Sequence, residues 1–303
     1  MATRNAIWPH FPQRSNGSVD LGCCPSSLAS QEKTKWSDII LENRTFQHSI
    51  QRLQTTPMSC KLSVNVNAIA YLRNRRSLPW PSVEGLGRIA LQAGAAGLTV
   101  HPRPDERHIR NSDVPVLRDL IRNEFPTREY NIEGYPDERF LKLVEANRPD
   151  QVTLVPDDPA QGTSDHGWDI SKNHSFLKDV IARLQAGKMR VSVFVDADPV
   201  LAELAKSVGA DRIEIYTGPY GGSFDPSVRD QEFDKIVVTG KVAEFAGLGL
   251  NAGHDLTREN LPALVAALPN LAEVSIGHAI VADALTFGMA ETVRMFRDAI
   301  GDD

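Results

Sequence analysis

Apolar residues follow two alternating rhythms along the chain. Short runs rich in β-branched or aliphatic residues occupy 62–66 (LSVNV), 96–100 (AGLTV), 129–132 (EYNI), 151–155 (QVTLV), 190–195 (RVSVFV), 211–215 (DRIEI), 248–252 (LGLNA) and 272–276 (AEVSI). Each has the length of a strand rather than a helix. Between them, apolar residues recur with helical spacing over 82–93, 113–124, 136–147, 174–186, 199–208, 228–246 and 257–268, and again over 280–298. Strands alternating with helices predict parallel βαβ units, and eight of these close most simply into a (β/α)8 barrel. An open doubly wound sheet is the alternative; the missing G-x-G-x-x-G after the first strand weakens it.

Residues 1–60 break the rhythm. Trp8, Pro9, Pro12, Ser15, Gly17, Pro25 and Ser26 fall without periodicity, and no apolar core of a secretory signal precedes them. An organelle transit peptide fits the lack of acidic residues before Asp20, but a poorly ordered extension is the simpler expectation, with Met58 a candidate start and the barrel spanning 61–303. The full chain has 303 residues, 41% hydrophobic and 24% charged, which is ordinary for a globular protein and enough for one large core. Its net charge of −6 and the lack of a Lys/Arg block argue against nucleic-acid binding. Cys23, Cys24 and Cys60 show no paired spacing, which fits a reducing cytoplasm. No stretch reaches the roughly 20 apolar residues of a membrane span.

In a barrel of this kind the active site lies where the strands end at their C-terminal side, so the residue that terminates each run carries information. Asn65 and Asn67 close the first run, with Arg73, Arg75 and Arg76 in the following loop; His101 and Arg103 close the second and Glu133 the third. Asp196, Glu214, His254 and His278 close the fifth to eighth. Histidines and carboxylates converging on one rim suit proton transfer. His108 serves either the site or a solvated turn. Glu133 has a structural alternative as a salt bridge at the barrel mouth, and Glu214 and Asp196 could orient a histidine or arginine. "NAGH" at 251–254 and "SIGH" at 275–278 place glycine before histidine at the two strand ends that usually cradle phosphate in this fold. The lysines fall in predicted helices or loops, unlike a Schiff-base aldolase, and the first strand offers Asn65-Val66-Asn67 instead of the His-x-His of metal hydrolases. His/Glu proton transfer on small phosphorylated substrates remains, without metal or cofactor.

Several long stretches, "VNVNAIAYLRNRR" (64–76), "GLTVHPRPDERHI" (97–109), "NIEGY" (131–135), "LVPD" (154–157), "VFVDAD" (193–198), "RIEIYTG" (212–218), "NAGHDLT" (251–257) and "IGHAI" (276–280), resemble the pyridoxine 5′-phosphate synthase family. The resemblance implies a (β/α)8 barrel with extra helices, assembled as an octamer. It also implies condensation of 1-deoxy-D-xylulose 5-phosphate with 3-amino-2-oxopropyl phosphate to pyridoxine 5′-phosphate, inorganic phosphate and water. On this likeness His101 and Glu133 are the proton acceptors and His254 the donor. Asn67, Ala68, Arg103, His108 and Thr163 are expected to contact the deoxyxylulose phosphate. Asn65, Arg76, Asp255, Gly277 and His278 are expected to contact the amino-oxopropyl phosphate.

The chain departs from the family at three of these positions. Asn67-Ala68 replaces a common Asp-His pair, and Asp255 stands where glycine commonly follows the histidine. A carboxylate facing phosphate would repel it, so Asp255 must turn away if binding is kept. These departures motivate one alternative, a non-catalytic phosphate-ligand binder on the same barrel. Another sugar-phosphate isomerase or aldolase is a third reading.

Overall fold

The computed structural model describes residues 59–157 and 164–302. Its strands are β1 Lys61–Asn65, β2 Gly97–Val100, β3 Glu129–Gly134, β4 Gln151–Leu154, β5 Arg190–Val195, β6 Arg212–Tyr216, β7 Gly249–Gly253 and β8 Leu271–Ile276. They pair in parallel in chain order and close into a barrel. The closing ladder, Lys61 opposite Glu273 through Val64 opposite Ile276, rules out the open sheet. The expected 1–60 extension, including Met58, lies outside the described residues apart from Ser59 and Cys60; Cys60 is buried against the barrel.

Alternation along the strands separates an apolar outer face from a polar interior. Leu62, Val64, Leu98, Val100, Ile132, Val152, Leu154, Val191, Val193, Ile213, Ile215, Leu250 and Val274 belong to the buried hydrophobic core, with each one fully covered. Their neighbours bond to one another from strand to strand. Ser63 and Thr99 hydroxyls meet at 2.7 Å, Asn131 Nδ2 donates to Thr99 Oγ1 at 3.3 Å, and Thr153 Oγ1 donates to Asn131 Oδ1 at 3.2 Å. Gln151 Nε2 reaches from β4 to Glu273 Oε1 on β8 at 3.2 Å, across the interior. Branched aliphatic side chains usually fill such a barrel. Here that packing is moved outward, against the helices, and the interior is a hydrogen-bonded polar column.

The helices are α1 Asn67–Asn74, α2 Val83–Gln92, α3 Asp113–Glu124, α4 Glu138–Asn147, α5 Ile170–Ala186, α6 Pro199–Ser207, α7 Gly218–Gly221, α8 Pro226–Phe245, α9 Leu261–Ala267, α10 His278–Phe287 and α11 Met289–Ile300. Side-chain oxygens cap several starts: Ser82 accepts from Gly85 N, Asp137 from Phe140 N and Asp169 from Lys172 N.

Three expectations need correction. The predicted loop bearing Arg73 is helix α1, whose inward face is Ile69, Ala70 and Arg73, so the polar member of that face hid the period. The segment predicted as one helix over 280–298 is two, α10 and α11, broken where Gly288 takes φ +78°. The helix predicted from 257 starts at Leu261, with Pro262 in its first turn.

Candidate active site

The C-terminal strand ends and the loops beyond them surround one cavity of about 580 Å³. Asn65, Asn67, Ala68, His101, Arg103, His108, Glu133, Glu214, His254, Asp255, Gly277 and His278 line it, so most of the expected site residues share one space.

The β1 and β2 ends are tied together by amides. Asn65 Oδ1 accepts from Asn67 N, and Asn67 Oδ1 accepts from His101 N, both at 2.9 Å. Asn67 thus fixes the backbone from which His101 projects, which an amide does without a carboxylate charge. The His101 ring lies between two acids. Its Nε2 hydrogen-bonds Asp157 Oδ2, and its Nδ1 faces Glu133 Oε2 at 3.8 Å. Asn65 Nδ2 donates to the same Glu133 oxygen at 3.4 Å. Burial would raise the Asp157 carboxyl, but the bond from His101, the Arg103 guanidinium 3.8 Å away and Ser164 Oγ together hold it below the usual range. An ionised carboxylate only accepts, so the shared proton sits on His101 Nε2.

Glu133 and Glu214 form the acidic floor. Burial, reinforced by Glu214, Asp157 and Glu273, pushes the Glu133 carboxyl well above its ordinary range. Burial, with Glu273 beneath, raises Glu214 to about 8. Thr153 Oγ1 lies 3.5 Å from Glu214 Oε2. A carboxyl raised as Glu214 is takes and returns protons near neutrality. His108 moves in the opposite direction, to about 3, through burial and the nearby His101 and Arg103. Its Nδ1 accepts from Ile109 N at 2.9 Å, leaving a neutral ring with Nε2–H as its donor.

His254 and Asp255 follow β7 in left-handed backbone, φ +87° and +56°. His254 Nδ1 and Asp255 Oδ2 are 2.9 Å apart, so the carboxylate is engaged by its neighbour. The Tyr216 ring meets His254 edge-on at 5.1 Å. Across the rim, Gly277 is the N-cap of α10, which begins at His278. A Cβ on Gly277 would lie 3.0 Å from Asn65 O, so glycine allows β8 to approach β1 there. The amide end of α10 and the Arg103 guanidinium give two places where an anionic group is favoured.

Arg76 and Asp196 do not line this cavity. Arg76 is exposed just beyond α1, Asp196 accepts from Gly167 N at 2.8 Å and anchors the loop there, and Thr163 lies outside the described residues. Sequence reasoning missed Asp157, although it ends the β4 run and the strand-end test would have found it. Tyr216 and Ser275, one a ring partner and the other a lining hydroxyl, carry no signal in sequence. Among the described residues there is no cluster of His, Cys, Asp and Glu able to hold a metal ion, and no helix is long and apolar enough to cross a membrane.

Comparison with known proteins bears on this site. The profile of the family described as pyridoxal phosphate biosynthesis protein PdxJ matches residues 62–302. The pyridoxine 5′-phosphate synthase of Rhizobium meliloti (strain 1021) is 62% identical over 250 residues, covering 81% of this chain and 99% of that one. That of Agrobacterium fabrum is 63% identical over 249 residues, covering 80% and 98%. Among solved structures, Mycobacterium tuberculosis tryptophan synthase shares the fold alone, with a TM-score of 0.53 at 12% identity over 80% of this chain and 93% of that one.

Proposed function

This chain belongs to the PdxJ family of pyridoxal phosphate biosynthesis proteins, and on that premise we propose that it is a pyridoxine 5′-phosphate synthase. It condenses 1-deoxy-D-xylulose 5-phosphate with 3-amino-2-oxopropyl phosphate and releases pyridoxine 5′-phosphate, inorganic phosphate and water. The observation that supports this best is the convergence of three proton-transfer groups from separate strand ends, His101, Glu133 and His254, on one cavity beside the α10 N-terminus.

Imine formation, phosphate loss, ring closure and aromatisation move protons repeatedly among carbon, nitrogen and oxygen. His101 takes the first proton, with Asp157 holding its ring so that Nδ1 faces Glu133. Glu133 takes the second, and its raised pKa lets it return the proton later in the cycle. His254 donates to a leaving oxygen, and Glu214 supports Glu133 from below by helping to raise its pKa. Arg103, the neutral His108 and Thr163 hold the deoxyxylulose phosphate beside Asn67 and Ala68. Asn65, the backbone at Asp255, and Gly277 with His278 receive the amino-oxopropyl phosphate, and Arg76, exposed just beyond α1, joins them by turning towards the rim. Asp196 acts at a distance, by fixing the loop at Gly167. The active assembly is a cytoplasmic homo-octamer.

The test mixes both phosphorylated ketones with purified protein, without added metal, and follows pyridoxine 5′-phosphate and inorganic phosphate together. Equal appearance of both supports the synthase. Tight binding of a ketone without product would favour the non-catalytic binder suggested by Asn67, Ala68 and Asp255. His101→Ala and Glu133→Gln should each lower turnover by about tenfold to a hundredfold or more; near-normal rates in both would refute their roles. Sedimentation of the same sample reads the oligomer.

A further inference from the structure

We propose that Asp255 is a positioning residue for His254, its carboxylate holding the ring Nδ1–H so that proton exchange is committed to Nε2. This rests on the donor role given to His254 above.

The contact itself is His254 Nδ1 to Asp255 Oδ2 at 2.9 Å. The hydrogen bond from His254, aided by the charges of His254 and His278, holds the Asp255 carboxyl below its usual range. An ionised carboxylate has no proton to give, so the hydrogen in this contact belongs to Nδ1.

The surrounding backbone is built to keep the pair in place. Two successive residues other than glycine, His254 and Asp255, hold positive φ, a conformation that L side chains disfavour. Each carbonyl of this strained turn is pinned. The buried Thr217 hydroxyl lies 2.7 Å from Gly253 O and 2.6 Å from His254 O, and its one proton is shared between the two carbonyls. Asn260 Nδ2 donates to Asp255 O at 3.3 Å, while Asn260 itself is held through Thr257 N and the Tyr220 hydroxyl. Gly221 packs against that same Asp255 carbonyl, where a Cβ would come within 2.1 Å of the oxygen.

A glycine would take φ +56° without strain. The backbone of the turn therefore does not itself need an aspartate. Strain retained for a side chain whose hydrogen bond runs to the neighbouring imidazole points to a role on that imidazole. On its other side the ring meets the Tyr216 edge. Among the described residues, the charged and titratable groups near the pair include Tyr216 from β6 and His278 from α10.

The experiment uses full-length protein labelled with 15N-histidine, with the His254 imidazole signals assigned by their loss in His254→Gln. In the wild type, the neutral ring is expected as the Nδ1–H tautomer, which free histidine favours less. Asp255→Gly should shift it towards Nε2–H and lower kcat by about tenfold, with KM for both ketones within about twofold. Asp255→Asn keeps an oxygen that accepts from Nδ1–H, so it should restore the tautomer and most of the lost turnover. An unchanged tautomer in Asp255→Gly overturns the proposal, as does a rise in KM at constant kcat, which would make Asp255 a substrate contact. If the wild type made no pyridoxine 5′-phosphate, the synthase reading would fail, while the tautomer measurement would still decide whether Asp255 sets the ring.

Discussion

Arg73→Met would separate the rigidity of the rim from its chemistry. Arg73 lies on the buried face of α1, and its guanidinium donates from Nη1 to Asp113 Oδ1 at 2.7 Å and from Nη2 to Asp113 Oδ2 at 2.9 Å. Nη2 also reaches His108 O at 3.2 Å, and the adjoining Asn74 Nδ2 donates to the carbonyls of Glu106, Arg107 and His108. The loop carrying Arg103 and His108 is therefore fastened to α1 by one ion pair and one amide. Methionine keeps most of the aliphatic volume but leaves Asp113 with only the Arg110 N–H at 2.8 Å. Removing one member of a buried pair costs about 3–5 kcal/mol; the residual exposure of Asp113 trims this to about 2–4. For a domain of this size that lowers Tm by roughly 5–15 °C. Thermal unfolding gives the first number, and a cycle with Asp113→Asn gives the coupling, expected at about 2 kcal/mol or more. In the assay, KM for the deoxyxylulose phosphate should rise several-fold while kcat changes less, because His101 and Glu133 stand on strands. A Tm within about 2 °C of wild type and an unchanged KM would refute the clamp.

Glu214→Gln tests the acidic floor. With the folded carboxyl raised to about 8 from an ordinary 4.5, the native state holds a proton that the unfolded chain releases, so this stabilisation is complete below about 4.5 and lost as pH rises through about 8. Urea midpoints measured from acid to alkaline pH should fall more steeply for wild type than for the glutamine variant, which becomes the more stable of the two at alkaline pH; parallel curves would contradict the shift. Thr217→Val removes the hydroxyl that holds the His254 carbonyl, while Gly253 O keeps the Thr217 amide at 2.9 Å. A loss of about 1–2 kcal/mol with a fall in turnover is expected, and unchanged melting would show the strained turn is held by other contacts.

The barrel was readable because its outer face obeys a simple rule. Every strand offers aliphatic residues at alternate positions, and β5 was predicted to the residue, Arg190–Val195. What escaped was structure whose inward face is polar. Helix α1 turns Arg73 inward, and a periodicity search scores an arginine as solvent-facing. At the site, His101, Glu133 and His254 were legible because each ends an apolar run. Asp157 was overlooked just past the fourth strand end, and Thr217 and Asn260 were invisible because they act on backbone carbonyls, 37 and 5 residues away in sequence. The support for a site is set by tertiary proximity, which spacing does not encode.

The polar interior also explains why protonated carboxyls collect at this site. Among the described residues, arginines enter the column near its N-terminal end, where Arg190 pairs with Glu129 and Arg212 Nη1 lies 3.9 Å from Glu273 Oε2. Higher up, the charged groups that act most strongly on Glu133 and Glu214 are other carboxylates, joined by the hydroxyls of Ser275 and Thr153 and, at Glu133, the Asn65 amide. Like charges brought together in a buried space cannot all ionise, so the acids furthest from the arginines retain their protons. Those acids are the ones that open onto the cavity. Because the hydrophobic packing lies outside the sheet, against the helices, the interior is free to keep this gradient from paired charge at the base to neutral acid at the mouth. The gradient keeps Glu133 and Glu214 above the ordinary carboxyl range, next to the His101 ring that the ionised Asp157 holds in place.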